Sequence, residues 1–105
     1  MIFSKKLIIG ENVKSFDEII EHLESGRKII LGFYLVVLAD NQNILEIIPT
    51  HEVNKDRYKD REFNVIGIAE SKKEAFLTVR DVIAAFVSKG NDFNYIKTYL
   101  RNYYF

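Results

Sequence analysis

The sequence lacks cysteine and tryptophan, and it contains one proline and five glycines among its 105 residues. Without cysteine, the chain forms no disulfide, thiolate nucleophile, iron–sulfur cluster or cysteine zinc site. Lys plus Arg and Asp plus Glu both number 15, so the formal net charge is zero. A neutral chain has no long-range field to attract nucleic acid or an anionic membrane. The composition therefore argues against a nucleic-acid partner, and it does little to discourage self-association.

Long apolar runs are also missing. The longest, residues 29–39, is much shorter than the roughly 20 residues of a transmembrane helix. The first residues lack the charged start and the longer apolar stretch of a signal peptide. No internal repeat, low-complexity tract or linker interrupts the chain. We therefore expect a single cytoplasmic domain over residues 1–105 with no membrane contact.

Two segments carry the Ser-x-x-Glu spacing of a helix-capping box, one beginning at Ser15 and one at Ser71. In such a box the serine hydroxyl accepts a hydrogen bond from a free backbone N–H, and the glutamate reaches back to the N–H of the serine. Apolar residues follow at helical spacing in both segments, and a glycine follows the end of each. We predict one helix over about residues 16–25 and another over residues 71–89.

Short apolar runs rich in β-branched residues predict the strands. Residues 29–39 and 44–48 are separated by a polar four-residue loop, which predicts an antiparallel hairpin. Weaker strand patterns lie at residues 7–9 and 63–69. Apolar residues occur at both parities of residues 29–39, so we expect both faces of that strand to be buried.

The predicted order is β-α-β-β-(short α)-β-α-α, an α+β domain in which helices pack on an antiparallel sheet of three to four strands. Its first six elements follow the βαββαβ order of a ferredoxin-like fold, which would then carry an extra C-terminal helix. An antiparallel meander flanked by helices is the alternative. Neither fold would imply a function.

The number of helices available to cover the two faces of the sheet bears on whether the chain self-associates. We expect the first two long helices to lie on one face of the sheet. The other face then needs either the aromatic C-terminal helix, which Asn91 or Asp92 could cap, or a second copy of the chain. Because exposed apolar patches usually mark interfaces, we predict a homodimer.

Residues 50–62 form the most polar stretch of the chain, and they predict one or two helical turns followed by a surface loop. Within this stretch His51, Arg57 and Tyr58 are weak candidates for binding residues. The sequence leaves open whether the stretch is a binding loop or a solvated connection.

Ser71, Lys72 and Lys73 are the other weak binding candidates, because they open a helix directly after a strand. A helix N-terminus with two lysines can attract an anion. However, no glycine-rich phosphate loop precedes it, and Glu70 and Glu74 would repel an anion. Helix capping is therefore the preferred interpretation.

The residues nearest to a nucleic-acid-binding pattern are Lys97, Tyr99, Arg101, Tyr103 and Tyr104. We expect these aromatic side chains to pack against the sheet or a second copy instead, so nucleic acid is an unlikely partner.

No motif for catalysis or metal binding is present, and we predict no catalytic residue, metal or cofactor. The leading hypothesis is a non-enzymatic interaction or regulatory module that self-associates and binds another macromolecule, such as a protein, through the polar segment 50–62 or the aromatic C-terminus. The alternatives are a sensor domain that binds a small molecule and, third, a small enzyme that uses scattered residues such as His51, Glu52, Arg57 and Tyr58.

Overall fold

A computed structural model describes residues 1–25, 32–58 and 60–105. Its strands are β1 (Ile2–Ile9), β2 (Tyr34–Leu38), β3 (Leu45–Pro49) and β4 (Asn64–Ala69). Its α-helices are α1 (Phe16–Ser25), α2 (Lys72–Ser88) and α3 (Ile96–Tyr104). Short 3-10 turns occur at Thr50–Glu52, Asp56–Tyr58 and Phe93–Tyr95. This order confirms the predicted α+β class.

The four strands form one sheet in the order β1-β4-β2-β3. The hairpin of β2 and β3 is antiparallel, as predicted, and β2 is also antiparallel to β4. The predicted antiparallel sheet is wrong for one pair, because β1 runs parallel to β4. The chain reverses direction between β1 and β2, and β4 lies between them. A strand antiparallel to β2 at that position is necessarily parallel to β1, and the sheet is mixed.

The ferredoxin-like arrangement is not supported. It needs a second long helix between β3 and β4. The described residues there contain two 3-10 turns, Thr50–Glu52 and Asp56–Tyr58, which agree with the one or two helical turns predicted for this stretch. A long helix does follow β4, but no further strand comes after it among the described residues.

Strand β2 is buried on both faces, as its apolar pattern predicts. Leu35 and Val37 pack into one cluster with Ile19 of α1. We call this side face A. Leu38 packs with Val82 of α2 and with side chains of α3 on the opposite side, face B.

The expected placement of the helices is therefore wrong in one respect. Helices α1 and α2 lie on opposite faces of the sheet, and α3 joins α2 on face B, where Ile96 and Leu100 are buried. The C-terminal helix was one of the two covers considered for the second face. Since it lies there, the burial of β2 does not require a second copy. The homodimer stays a prediction, and any interface must use another surface.

The two helix starts differ in detail. Ser71 is an N-cap in extended conformation, and its hydroxyl accepts a hydrogen bond from the backbone N–H of Glu74 at 3.0 Å. At α1 the backbone carbonyl of Ser15, a residue with a φ of 56°, accepts from the N–H groups of Glu18 and Ile19. The glycine expected to end α1, Gly26, lies outside the described residues, as do residues 29–31 of the predicted strand.

In the described part of the chain, no helix has both the length and the apolar character needed to cross a bilayer.

Candidate functional site

A cleft lies where two parallel strands end. Strands β1 and β4 are parallel, so their C-terminal residues, Ile9 and Ala69, lie at the same end of the sheet, beside the N-terminus of α2. Crevices outside the carboxyl ends of parallel strands are common ligand sites in open α/β sheets. The cleft has a volume of about 420 Å³, and its walls include Gly10, Asn12, Ser71, Lys73, Glu74 and Asp81.

Glu74 occupies the polar centre of this cleft. Its Oε1 accepts a hydrogen bond from the backbone N–H of Glu70 at 2.8 Å. Its Oε2 accepts from both the backbone N–H and the Nδ2 of Asn12, at 3.2 and 3.1 Å. The carboxylate thus ties the loop after β1 to the start of α2. The predicted capping box is half realised, since Ser71 caps the helix while Glu74 bonds one residue further back, at Glu70.

Gly10 makes this arrangement possible. A Cβ placed on Gly10 would lie 1.8 Å from Oε1 of Glu74, well inside van der Waals contact. The backbone N–H of Gly10 donates to the carbonyl of Ile68 at 2.8 Å, which fixes the loop against β4. Only a residue without a side chain lets the Glu74 carboxylate approach so closely.

The hydrogen bonds of Glu74 limit what the cleft can bind. A phosphate or carboxylate ligand would have to displace the Glu74 side chain from Glu70 and Asn12, against the repulsion of that same carboxylate. The volume of the cleft falls within the usual range for small molecules, but such sites are mostly apolar. Asn12, Glu74 and Ser71 already form hydrogen bonds within the protein, so helix capping remains the better account of Ser71.

The six predicted binding residues do not come together. Ser71 and Lys73 line the cleft, whereas Lys72, His51, Arg57 and Tyr58 do not. His51 is an exposed residue of the turn after β3. Tyr58 packs its ring on Phe63 in an edge-to-face contact, with the ring centroids 5.4 Å apart.

Glu52 is held by two cations of its own segment. Its Oε1 lies 3.2 Å from Nζ of Lys55 and 2.5 Å from an Nη of Arg57. The hydrogen bond from Lys55 is the largest cause of a lowered pKa for Glu52, and the charge of Arg57 acts in the same direction. A carboxylate stabilised in its ionised form is a poor general acid or base near neutral pH. The arrangement therefore gives no support to acid–base catalysis in this segment.

Sequence reasoning missed a largely buried charged group. The Arg61 side chain is only 13% exposed and forms a two-pronged ion pair with Glu46, at 2.8 and 3.3 Å. Its Nε lies 3.2 Å from a carboxylate oxygen of Asp40, without the alignment of a hydrogen bond. The guanidinium also lies 4.9 Å from the ring centroid of Phe63. In the sequence, the one sign of this contact is that two aromatic residues, Tyr58 and Phe63, flank the charged residues 59–62.

Metal binding finds no support in the described ranges, where no three His, Cys, Asp or Glu side chains converge closely enough to hold an ion.

Comparison of the chain with protein-family models, curated proteins and solved structures finds no match.

Proposed function

We propose that the chain is a non-enzymatic interaction module that self-associates through the side of α2 turned away from α3. The distribution of exposed apolar side chains carries the proposal. Eight large apolar side chains are exposed among the described residues, and three of them, Phe76, Leu77 and Val87, lie on α2; the others are Ile2, Phe16, Phe93, Tyr95 and Tyr103. Apolar surface concentrated in this way usually marks an interface.

The two sides of α2 differ in what they contact. Val82 and Phe86 pack against α3, where the ring centroids of Phe86 and Tyr99 are 5.1 Å apart. Phe76, Ile83 and Val87 are seven and four residues apart, which places them on one side of the helix. We call these three residues the α2 flank; its middle residue, Ile83, is half-buried and also packs on the cluster that contains Val82 and Phe86. Phe76 is 56% exposed and Val87 is 54% exposed, so both ends of the flank face solvent.

The α2 flank borders an outer strand of the sheet. Strand β3 has a neighbour on one side only, and α2 packs over both β2 and β3. Leu45 and Ile47 of β3 lie half-buried on the same face as α2. An open strand edge beside an apolar helix side is a surface that commonly pairs with another chain.

A second copy fits this surface. The flank has an apolar residue at each end, Phe76 and Val87, with Ile83 and the neighbouring Arg80 between them. In a two-fold pair of antiparallel α2 helices, Phe76 of each protomer would therefore meet Val87 of the other. The formal net charge is zero, so no overall repulsion opposes the approach of two copies. Aromatic side chains such as Phe76 are enriched at interfaces of this kind.

Sedimentation equilibrium over a wide range of concentrations tests the proposal. The mass is expected to rise from 12.3 kDa toward twice that value. The double substitution Phe76→Ala and Val87→Ala should raise the dissociation constant at least roughly tenfold, since each change removes apolar contact twice in a symmetric dimer.

Ile2→Ala serves as the matched control, because Ile2 is an exposed apolar residue outside the flank. This variant should associate like the unaltered chain. A chain that stays monomeric at every concentration would contradict the proposal. A dimer that survives loss of the flank would place the interface elsewhere.

A further inference from the structure

Strand β3 is an outer strand of the sheet, and its backbone hydrogen-bonding groups alternate between its two sides. Just outside the ladder of β2 and β3, the carbonyl of Ile44 and the N–H of Thr50 both bond to residues that flank β2. Because such bonds recur at every second residue of an antiparallel strand, the even-numbered residues of β3 bond to β2. The N–H groups of Leu45 and Ile47 therefore point away from the sheet, where no other described strand lies.

The two outer strands differ in how open their edges are. Strand β1 carries the exposed residues Lys5 and Lys6, and its pairing with β4 is irregular between Phe3 and Ile8. Lysines and irregularities of this kind discourage pairing with another chain. Strand β3 pairs regularly over all five of its residues and contains no lysine. Of the two edges, that of β3 is therefore the one open to a further strand.

The single charged residue of β3 does not oppose the addition of a strand. Side chains alternate between the faces of a sheet, and Glu46 lies on face A, where its carboxylate is paired with Arg61 at 2.8 Å. Leu45 and Ile47 lie on face B, half-buried against the cluster that contains Ala75 of α2. A strand added at this edge would thus extend the apolar layer of face B without burying an unpaired charge.

We infer that β3 pairs with β3 of a second copy in antiparallel orientation, so that the dimer contains one continuous sheet of eight strands, four from each copy. This pairing rests on the proposed self-association and specifies how the two copies join. With Ile47 opposite itself, the two Ile47 residues exchange two hydrogen bonds, and each Leu45 N–H donates to the carbonyl of Pro49 in the other copy. The same register places Glu46 opposite Ile48, which keeps two carboxylates from lying directly opposite each other.

The same two-fold rotation brings the α2 flanks together. An axis perpendicular to the sheet keeps face B of both copies on one side, so the two α2 helices lie antiparallel across the join. Helix α2 packs over β2 and β3, so the two α2 axes would lie two to three strand spacings apart, about 10–14 Å. The exposed side chains of Phe76 and Val87 can fill that gap. A free peptide strand would pair with the edge but leave the flank exposed, whereas a second copy covers both.

Amide hydrogen exchange, followed by NMR at several protein concentrations, tests the pairing. In the single chain the amides of Leu45 and Ile47 face water and should exchange rapidly. At about a hundredfold above the dissociation constant their exchange should slow at least roughly tenfold, because little monomer remains. The amides of Glu46 and Ile48 bond to β2 in either state. They should exchange slowly at every concentration, which makes them the internal control.

Ile47→Pro tests the same hydrogen bonds by substitution. It removes an N–H that the single chain does not use, and proline is tolerated on edge strands. Ile47→Ala is the matched control, because it loses the side chain on face B and keeps the N–H. The dissociation constant of the proline variant should exceed that of the alanine variant at least roughly tenfold, since each copy loses a bond. The exchange of the unaltered chain decides the question if the proline variant does not fold.

The outcomes separate this pairing from the proposed function. A dimer whose Leu45 and Ile47 amides still exchange rapidly would overturn the strand pairing and leave self-association through the α2 flank intact. Equal weakening by Ile47→Pro and Ile47→Ala would also overturn it, because the side chain and not the N–H would make the contact. A chain that stays monomeric would contradict both proposals. Slow exchange that persists after loss of the flank would support the strand pairing alone.

Discussion

Face B of the sheet is covered by two regular helices, whereas face A is covered by one helix and the irregular segment 50–62. On face B, α2 and α3 bury Val82, Phe86 and Leu100 against the strands. On face A, α1 contributes Ile19, and segment 50–62 adds Val53 and Tyr58. A segment with very few apolar residues can therefore cover part of one face of a sheet.

Hydrogen bonds and an ion pair hold segment 50–62 against the sheet at both of its ends. At its start, the backbone N–H and the hydroxyl of Thr50 both donate to the carbonyl of Phe33, at 2.9 and 3.1 Å. At its end, Arg61 forms the ion pair with Glu46 and lies over the ring of Phe63. Both faces hold an apolar cluster, but on face A segment 50–62 contributes only Val53 and Tyr58 to it and adds these polar bonds. Segment 50–62 therefore covers part of the core through Val53 and Tyr58.

The largest effect is expected on the helical face. Phe86 is fully buried and contacts the rings of Tyr99 and Phe93. Phe86→Ala should lower the free energy of unfolding by about 3–5 kcal/mol, because it leaves a cavity between α2, α3 and the sheet. Urea denaturation measures the change. Phe93→Ala is the control: this partner ring is half exposed, and its loss should cost much less. Equal costs for the two variants would show that α3 does not seal face B.

The irregular face should respond next. Arg61→Ala should lower the free energy of unfolding by about 2–4 kcal/mol, because Glu46 is left half-buried without its partner. Adding Glu46→Gln should recover part of the loss. Urea denaturation of the single and double variants gives the coupling energy. A cost below about 0.5 kcal/mol is typical of an exposed ion pair and would contradict the anchoring role of Arg61.

The smallest effect concerns the pH dependence of segment 50–62. The hydrogen bond from Lys55, helped by the charge of Arg57, lowers the pKa of Glu52 in the folded state. A group whose pKa is lowered by folding stabilises the fold above its unfolded pKa, and this stability is lost as the pH falls through the folded pKa. Glu52→Gln should therefore lower the Tm slightly at neutral pH, and the difference should vanish as the pH falls below the ordinary glutamate value of 4.5. A difference that persists in acid would assign the effect to packing instead of charge.

Local patterns were sufficient for much of the fold. Helical spacing with a capping serine identified α1 and α2, and the hydrophilic break after residue 39 identified the hairpin of β2 and β3. Apolar residues at both parities predicted that β2 is buried on both faces. These features depend on neighbouring residues only, since hydrogen bonds within a helix or hairpin close over a few positions.

The candidate site was less accessible to sequence reasoning. Ser71 was identified as a helix cap, and its hydroxyl does cap α2. The contacts of Glu74 with Asn12 join residues 62 positions apart, and the close approach of Gly10 depends on the same contact. Likewise, no local pattern shows that Lys6 and Lys89 meet at Tyr103. Contacts of this kind depend on which strands become neighbours.

The order of the elements and the burial of β2 on both faces could be predicted from the sequence, because hydrophobic periodicity and capping act over a few residues. Tertiary contacts set the parallel pairing of β1 with β4, the placement of α1 and α2 on opposite faces, and the meeting of Lys6 and Lys89 at Tyr103. The physical reason is that strand order and helix placement minimise the exposed apolar surface of the whole chain at once. That global balance cannot be read from any single stretch of residues.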